Sequence, residues 1–199
     1  MRLDKNRIKI LKILLKNLAV ESTITSLAKD LGITRVGTWK AIKRLESEKL
    51  IVLSHVGSGK TSVHTISLNW QNPLTEKNLI LALTEDAEKN RRWIANFAEL
   101  DNKVDFLIIF GSALTSPRDA NDIDLLGVMH KNRFLEVDEI DKRIQKTQVK
   151  KIHILNFTPD EFRQELKKPN KVFIEAIKKG IILFGQEKFI RFIRGVPRK

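Results

Sequence analysis

Asp122 and Asp124 flank one isoleucine at the head of an apolar run, Leu125 to Met129, and Gly111-Ser112 closes another, Phe106 to Phe110. Each run is short enough for a buried strand. Side chains alternate along a strand, so both aspartates project to one side while Ile123 turns into the core. Two carboxylates on one face repel each other unless a cation lies between them. Mg²⁺ suits that place, because it takes oxygen ligands and shares them with substrate phosphates. Gly111 lets the backbone turn tightly and come close to a ligand. Ser112 adds a hydroxyl to the N–H groups of that turn, and all of these can face phosphate oxygens. Nine residues rich in turn formers, among them Ser116-Pro117, Asp119 and Asn121, join the two halves. Asp-x-Asp alone is common at solvated strand ends, and Gly-Ser alone says less. In this order, each beside its own apolar run, they describe a site for a nucleoside triphosphate and its metal.

The elements that must position these residues follow from the surrounding pattern. Apolar positions at Leu79, Leu83, Ala87, Ile94 and Phe97 predict a long helix over about 75–100. A strand over 104–110 and a second over 123–129 carry the two motifs. A charged helix spans about 133–146, and a third strand spans 151–157. Thr158-Pro159 starts a further helix, since Pro is tolerated in a first turn, and Pro169 interrupts it before 172–179. A short buried strand at 180–185 and a helix over 186–194 complete the half. Strands alternating with helices place it in an α/β or α+β class, with a mixed sheet flanked by helices.

This order, with the GS-x(about ten)-D-x-D signature inside it, resembles the DNA polymerase β-like nucleotidyltransferase superfamily across about residues 75–190. The closest likeness is to its minimal nucleotidyltransferase branch. The resemblance implies that Gly111 and Ser112 contact the triphosphate and that Asp122 and Asp124 hold Mg²⁺. It also implies transfer of a nucleoside monophosphate to a hydroxyl with release of pyrophosphate, the acceptor being a nucleic acid, an antibiotic or a protein. One departure is plain. The family carries a third carboxylate on the strand after the DxD strand, but that strand reads KKIHILNF, and the aligned residue is His153. A neutral imidazole binds transition metals or acts as a base, but it is a poor Mg²⁺ ligand. The loss bears on the metal that activates the nucleophile more than on the one at the triphosphate, so binding can outlast turnover. A strand histidine hydrogen-bonded locally is the other reading of His153. Asp160-Glu161 read as first-turn residues of a helix, stabilised by its dipole.

The formal charge is +13 and it is uneven: residues 1–70 hold 13 Lys/Arg against 5 Asp/Glu, the remainder 24 against 19. A small, strongly basic N-terminal segment points to a polyanion partner. At 42% hydrophobic residues the chain can bury a core, and no apolar stretch approaches the length of a membrane helix. The basic N-terminus lacks a signal-peptide h-region and a small-residue cleavage site. Without cysteine there are no disulfides or thiolate metal sites, which fits a cytoplasmic protein.

In that basic segment, Ile8, Leu11, Leu14, Leu15 and Leu18 predict an amphipathic helix over about 5–18. Thr25 caps a second helix that stops at Gly32, and Thr34 caps a third, Arg35 to about Lys49. Helix, tight turn, helix is the helix-turn-helix arrangement. The third helix sets Trp39, Ile42 and Leu45 on one arc and Lys40, Lys43, Arg44 and Ser47 on the other. Its first turns, Thr34, Arg35, Gly37 and Thr38, stand where a recognition helix meets base edges. Lys40, Lys43 and Arg44 are placed for phosphates. Strands at 50–53 and 65–68 enclose Gly57-Ser58-Gly59-Lys60, a hairpin wing with Lys60 at its basic tip. Residues 1–70, and GITRVGTWKAIKRLESEKLI in particular, resemble winged helix-turn-helix regulators. Lys49 departs from them, standing where such proteins often end the helix with Gly. SHVGSGKT at 54–61 nearly matches a Walker A loop, but it lacks the first Gly and is followed by strand-like sequence. With no helix N-terminus after it, the phosphate cradle is missing.

The sequence therefore predicts a winged helix over 1–70 and a nucleotidyltransferase-like domain over 74–195. The first binds DNA, and the second binds a nucleoside triphosphate with Mg²⁺ and transfers the monophosphate to an acceptor. The alternative is a transcription regulator whose second domain is catalytically inactive and senses nucleotide or dimerises. Homodimerisation is expected from helix-turn-helix practice.

Overall fold

The computed structural model describes residues 4–18, 22–56, 63–168 and 170–196. Two compact units emerge, one of the residues up to Ala82 together with those from Ile193, the other Leu83–Phe192. Among the described residues, no helix is long and apolar enough to cross a membrane.

The first unit holds α1 (Lys5–Lys16), β1 (Ser22–Thr23), α2 (Ile24–Leu31), α3 (Arg35–Ser47), β2 (Ile51–Val56) and β3 (Val63–Leu68). Its sheet runs β1-β3-β2 and is antiparallel throughout. Ile10, Leu11, Leu14 and Leu15 of α1, Leu27 of α2, and Ile42 and Leu45 of α3 are buried, as the three- and four-residue spacing requires. Asp4 caps α1 by accepting from the N–H groups of Asn6 and Arg7. Burial works against the Asp4 carboxylate, but the bonds from Arg7 prevail and hold its pKa below the ordinary value. The buried Arg7 also reaches Glu48, just past the end of α3, tying the two helices by a largely enclosed ion pair.

Three helix ends depart from the sequence expectation. Thr23, not Thr25, caps α2, in a reciprocal capping box with Ser26. Helix α1 stops at Lys16 rather than 18, and α3 stops at Ser47. Beyond α3, Lys49 takes the left-handed conformation (φ 57°). Its N–H bonds to the Glu46 carbonyl and that of Leu50 to the Leu45 carbonyl, at 2.8 and 2.9 Å. This is the Schellman closure usually built on glycine, and Gly32 builds the same one after α2.

The second unit takes in α5 (Arg91–Asn96), β4 (Phe106–Phe110), α6 (Ser112–Thr115), β5 (Asp122–Val128), α7 (Phe134–Gln145), β6 (Lys151–Phe157), α8 (Pro159–Lys167), α9 (Lys171–Lys179) and β7 (Ile181–Phe184). Helix α4 (Pro73–Glu88) enters this unit at Leu83, and α10 (Gln186–Arg194) belongs to it up to Phe192. The predicted long helix over 75–100 is broken at Asn90. That side chain donates to the Asp86 carbonyl, and its backbone N–H bonds three residues back, to Ala87. An Asn competing for backbone groups ends a helix without Gly or Pro. The sheet runs β6-β5-β4-β7, parallel between β5 and β6 and antiparallel elsewhere. One face packs Leu107, Ile109, Ile123 and Leu125 on Trp93, Phe97, Val137, Ile140 and Ile144. On the other, Phe106 meets Phe162, Phe189 and Phe192 with ring centroids 5.4–6.1 Å apart. The mixed α+β architecture agrees with the expected class.

Candidate functional site

In the first unit, α3 presents Thr34, Arg35, Lys40, Lys43, Arg44 and Ser47 to solvent. These residues are not equivalent. Lys43 pairs with Glu46 at 2.7 Å and lies 4.9 Å from the Trp39 ring centroid, so part of its charge is already met. Arg35, Lys40 and Arg44 have no ion pair among the described residues, which leaves three whole charges on the exposed side. Thr34 accepts from the Gly37 N–H as the cap of α3. Thr38 corrects the sequence reading. It is fully buried, and its hydroxyl donates to the Thr34 carbonyl at 3.0 Å, so it cannot meet a base edge. Val36, which the sequence reading passes over, is 66% exposed beside Arg35. An exposed apolar side chain in the first turn of such a helix can meet a thymine methyl. Lys60 lies outside the described residues.

The second unit brings together residues far apart in sequence. Phe110 pairs with Asp124 across β4 and β5, which sets Gly111 directly against the Asp124 carboxylate. Gly111 has φ 78° and ψ −158°, a region essentially closed to other residues, and a Cβ there would overlap Asp124 Oδ2. Ser112 follows as the first residue of the four-residue α6, and both Gly111 and Ser112 are exposed. On the opposite side of β5, the parallel register sets Asp122 beside Lys151 and Asp124 beside His153. His153 Nδ1 stands 3.6 Å from Asp122 Oδ2 and 3.8 Å from Asp124 Oδ1. One ligand atom from each of the three lies within 4.8 Å of the others, the one such group among the described residues.

Burial pushes the Asp124 pKa up, the Asp122 charge raises it further, and His153 draws it down. The two acids thus share a face and repel, as strand alternation requires. Asp122 and Asp124 are the carboxylates that could hold a divalent cation here, with Gly111 packed against the second of them. Lys150 is a residue that the sequence reading misses. Standing just before β6, it donates to the carbonyls of Ala120 and Arg118 just before the neighbouring β5, pinning the loop that leads into Asp122. Asp160 and Glu161 sit in the first turn of α8, where Glu161 accepts from the Thr158 N–H at 2.8 Å as half of a capping box, apart from the cluster.

Residues 3–52 match the family described as winged helix-turn-helix DNA-binding. No curated protein matches the chain. Among solved structures, the adhesin competence repressor AdcR from Streptococcus pyogenes shares 20% identity over 51% of this chain and 71% of its own, with a TM-score of 0.39. ZitR from Lactococcus lactis, a zinc-responsive MarR family member, shares 20% over 74% and 78%, with a TM-score of 0.35. The structure of ZitR in complex with DNA gives 21%, 74% and 77%, with a TM-score of 0.34. The family match, with the observed order of helices and wing strands, makes the N-terminal part a winged helix-turn-helix DNA-binding domain.

Proposed function

We propose that this protein is a cytoplasmic transcription regulator that reads DNA through α3 and its wing, while its second unit binds a divalent cation and a nucleotide. The observation that carries the reading is the exposed side of α3. Arg35, Lys40 and Arg44 stand there without acidic partners among the described residues, inside a segment matched to a DNA-binding family. Unpaired cations release phosphate counterions when they bind, and each phosphate so neutralised steepens the salt dependence of affinity. Replacing Lys40 or Arg44 with Ala should therefore weaken binding to every duplex and lower the slope of log K against log salt by about 0.9 for each phosphate that is no longer neutralised. Fluorescence anisotropy of a labelled duplex over a salt series measures this. Unchanged affinity and slope in both variants would turn the domain into a protein-binding module. Homodimerisation would supply the second half-site that helix-turn-helix readers use.

For the second unit, the proposal is sensing rather than turnover. Asp122 and Asp124 supply the carboxylates for a cation, and by themselves they suit Mg²⁺. Gly111 and Ser112 border Asp124 with backbone N–H groups and a hydroxyl suited to triphosphate oxygens. The nucleotidyltransferase resemblance rests on the same residues. With His153 where the third carboxylate would stand, activation of an acceptor hydroxyl is weakened while nucleotide binding is kept. The second reading, transfer of a nucleoside monophosphate to a hydroxyl on a nucleic acid or protein, draws on the convergence of the two acids beside the Gly-Ser turn. Incorporation of labelled nucleotide that vanishes in Asp122→Ala and Asp124→Ala would establish transfer and overturn the sensing role.

A further inference from the structure

We infer that the cluster of Asp122, Asp124 and His153 selects a divalent transition ion, of the class of Mn²⁺, Fe²⁺, Co²⁺ or Zn²⁺, over Mg²⁺. The inference rests on reading the cluster as a cation site and goes on to name the ion.

Three observations carry it. The parallel register makes His153 the direct neighbour of Asp124, so the backbone rather than a chance rotamer brings the imidazole to the acids. His153 Nδ1 stands nearest both carboxylates, yet at 3.6 and 3.8 Å it lies outside hydrogen-bond distance of either. Three donors about 2.1 Å from one ion would stand about 3.4 Å apart at tetrahedral and about 3.0 Å apart at octahedral angles. The nitrogen–oxygen edges need to close by about 0.2–0.8 Å, within reach of side-chain rotation. Finally, the chain carries 37 Lys and Arg. Among the described residues, none of them forms an ion pair with Asp122 or Asp124, and their one basic neighbour within 4 Å is His153. Among the described residues, most other carboxylates pair with a Lys or Arg, and these two do not.

The donor chemistry then decides the class of ion. Imidazole nitrogen is a better ligand for divalent first-row transition ions, with Mn²⁺ the weakest of them, than for Mg²⁺, which prefers six oxygens in near-ideal octahedral geometry. Mg²⁺ would use the two aspartates and leave the imidazole as a bystander. A transition ion uses all three, and the two carboxylates with one neutral imidazole balance its charge. The third donor therefore adds affinity for one class of ion and nothing for the other.

Titration of the full chain with Mn²⁺, followed by loss of the free-ion electron paramagnetic resonance signal, with Mg²⁺ as competitor, tests this. The expected result is one tight Mn²⁺ site favoured over Mg²⁺ by at least about tenfold, or 1.4 kcal/mol. Electron spin echo modulation of bound Mn²⁺ should show coupling to an imidazole nitrogen. His153→Ala should abolish that coupling and bring Mn²⁺ affinity down to the Mg²⁺ level while leaving Mg²⁺ affinity unchanged. His153→Asp, which restores a third oxygen donor, should shift the preference toward Mg²⁺. Equal affinity for both ions, or no nitrogen coupling, overturns the selection while the cation site stands, provided Asp124→Ala still abolishes binding. If no ion binds, or binding survives Asp124→Ala, the cation site itself is overturned and the selection with it.

Discussion

Lys49 should be holding this protein below its attainable stability, and glycine should release it. Lys49 sits at φ 57°, the position after the helix cap where the chain reverses to close α3. For a residue with a Cβ, the left-handed region costs roughly 1–2 kcal/mol, because Cβ crowds the following carbonyl oxygen. Glycine escapes that cost but gains freedom in the unfolded chain, which takes back about 0.4–1 kcal/mol. Lys49→Gly should therefore stabilise the winged helix by about 0.5–1 kcal/mol, a rise of about 1–4 °C in melting temperature for a chain of this size. The side chain is exposed and forms no ion pair among the described residues, so nothing else is given up. Urea unfolding should show a higher midpoint with the same slope. Lys49→Ala separates the conformational cause from the charge, since it removes the ammonium but keeps the Cβ, and it should give no gain. The mirror experiment is Gly32→Ala, at φ 67° in the matching turn after α2. An added Cβ there meets nothing within 4 Å, so any loss is conformational rather than steric. A Lys49→Gly variant no more stable than Lys49→Ala would refute the conformational cost assigned to the left-handed turn.

Gly111→Ala meets both a forbidden backbone region and the Asp124 carboxylate, and should cost about 1–3 kcal/mol of stability while displacing that ligand. Calorimetric titration should show weakened Mn²⁺ binding, and unchanged affinity would deny Gly111 its role of making room for Asp124. In α7, Asp141 has a buried Oδ1 without a hydrogen-bond partner among the described residues, and burial, then the charge of Asp138, pushes its pKa up. The folded chain thus holds this proton to a higher pH than the unfolded chain does, so Asp141 opposes folding above its raised value. That penalty fades as pH falls through the raised value toward the ordinary one. Asp141→Asn should be more stable than the wild type at pH 7, and the gap should narrow on acidification. A gap that stays constant with pH refutes the assignment.

Much of this architecture is legible in the sequence, because the periods of the hydrophobic pattern are local. The apolar spacing of α1 and the Gly-Ser and Asp-x-Asp motifs beside their apolar runs all identify elements within a few residues of where they stand. Thr38 shows a signal misread rather than absent. It precedes Ile42 by four residues and Leu45 by seven, the very stripe that turns inward, so its burial is already written in the helix period. The break at Asn90 and the cap at Thr23 are harder. Both depend on a short side chain choosing between nearby backbone groups, and several candidates of equal merit lie within a few residues.

By itself, the sequence determined that a basic winged reader precedes an α+β unit, and that two acids share one strand face beside a glycine turn. Alternation and helical period are properties of the chain's own geometry and need no partner strand. Only the tertiary structure decided what stands next to those acids. His153 lies 29 residues beyond Asp124, and the parallel pairing of β5 with β6 in one register brings its imidazole to within 4 Å of both carboxylates. A shift of that register by one residue would turn the ring to the opposite face of the sheet.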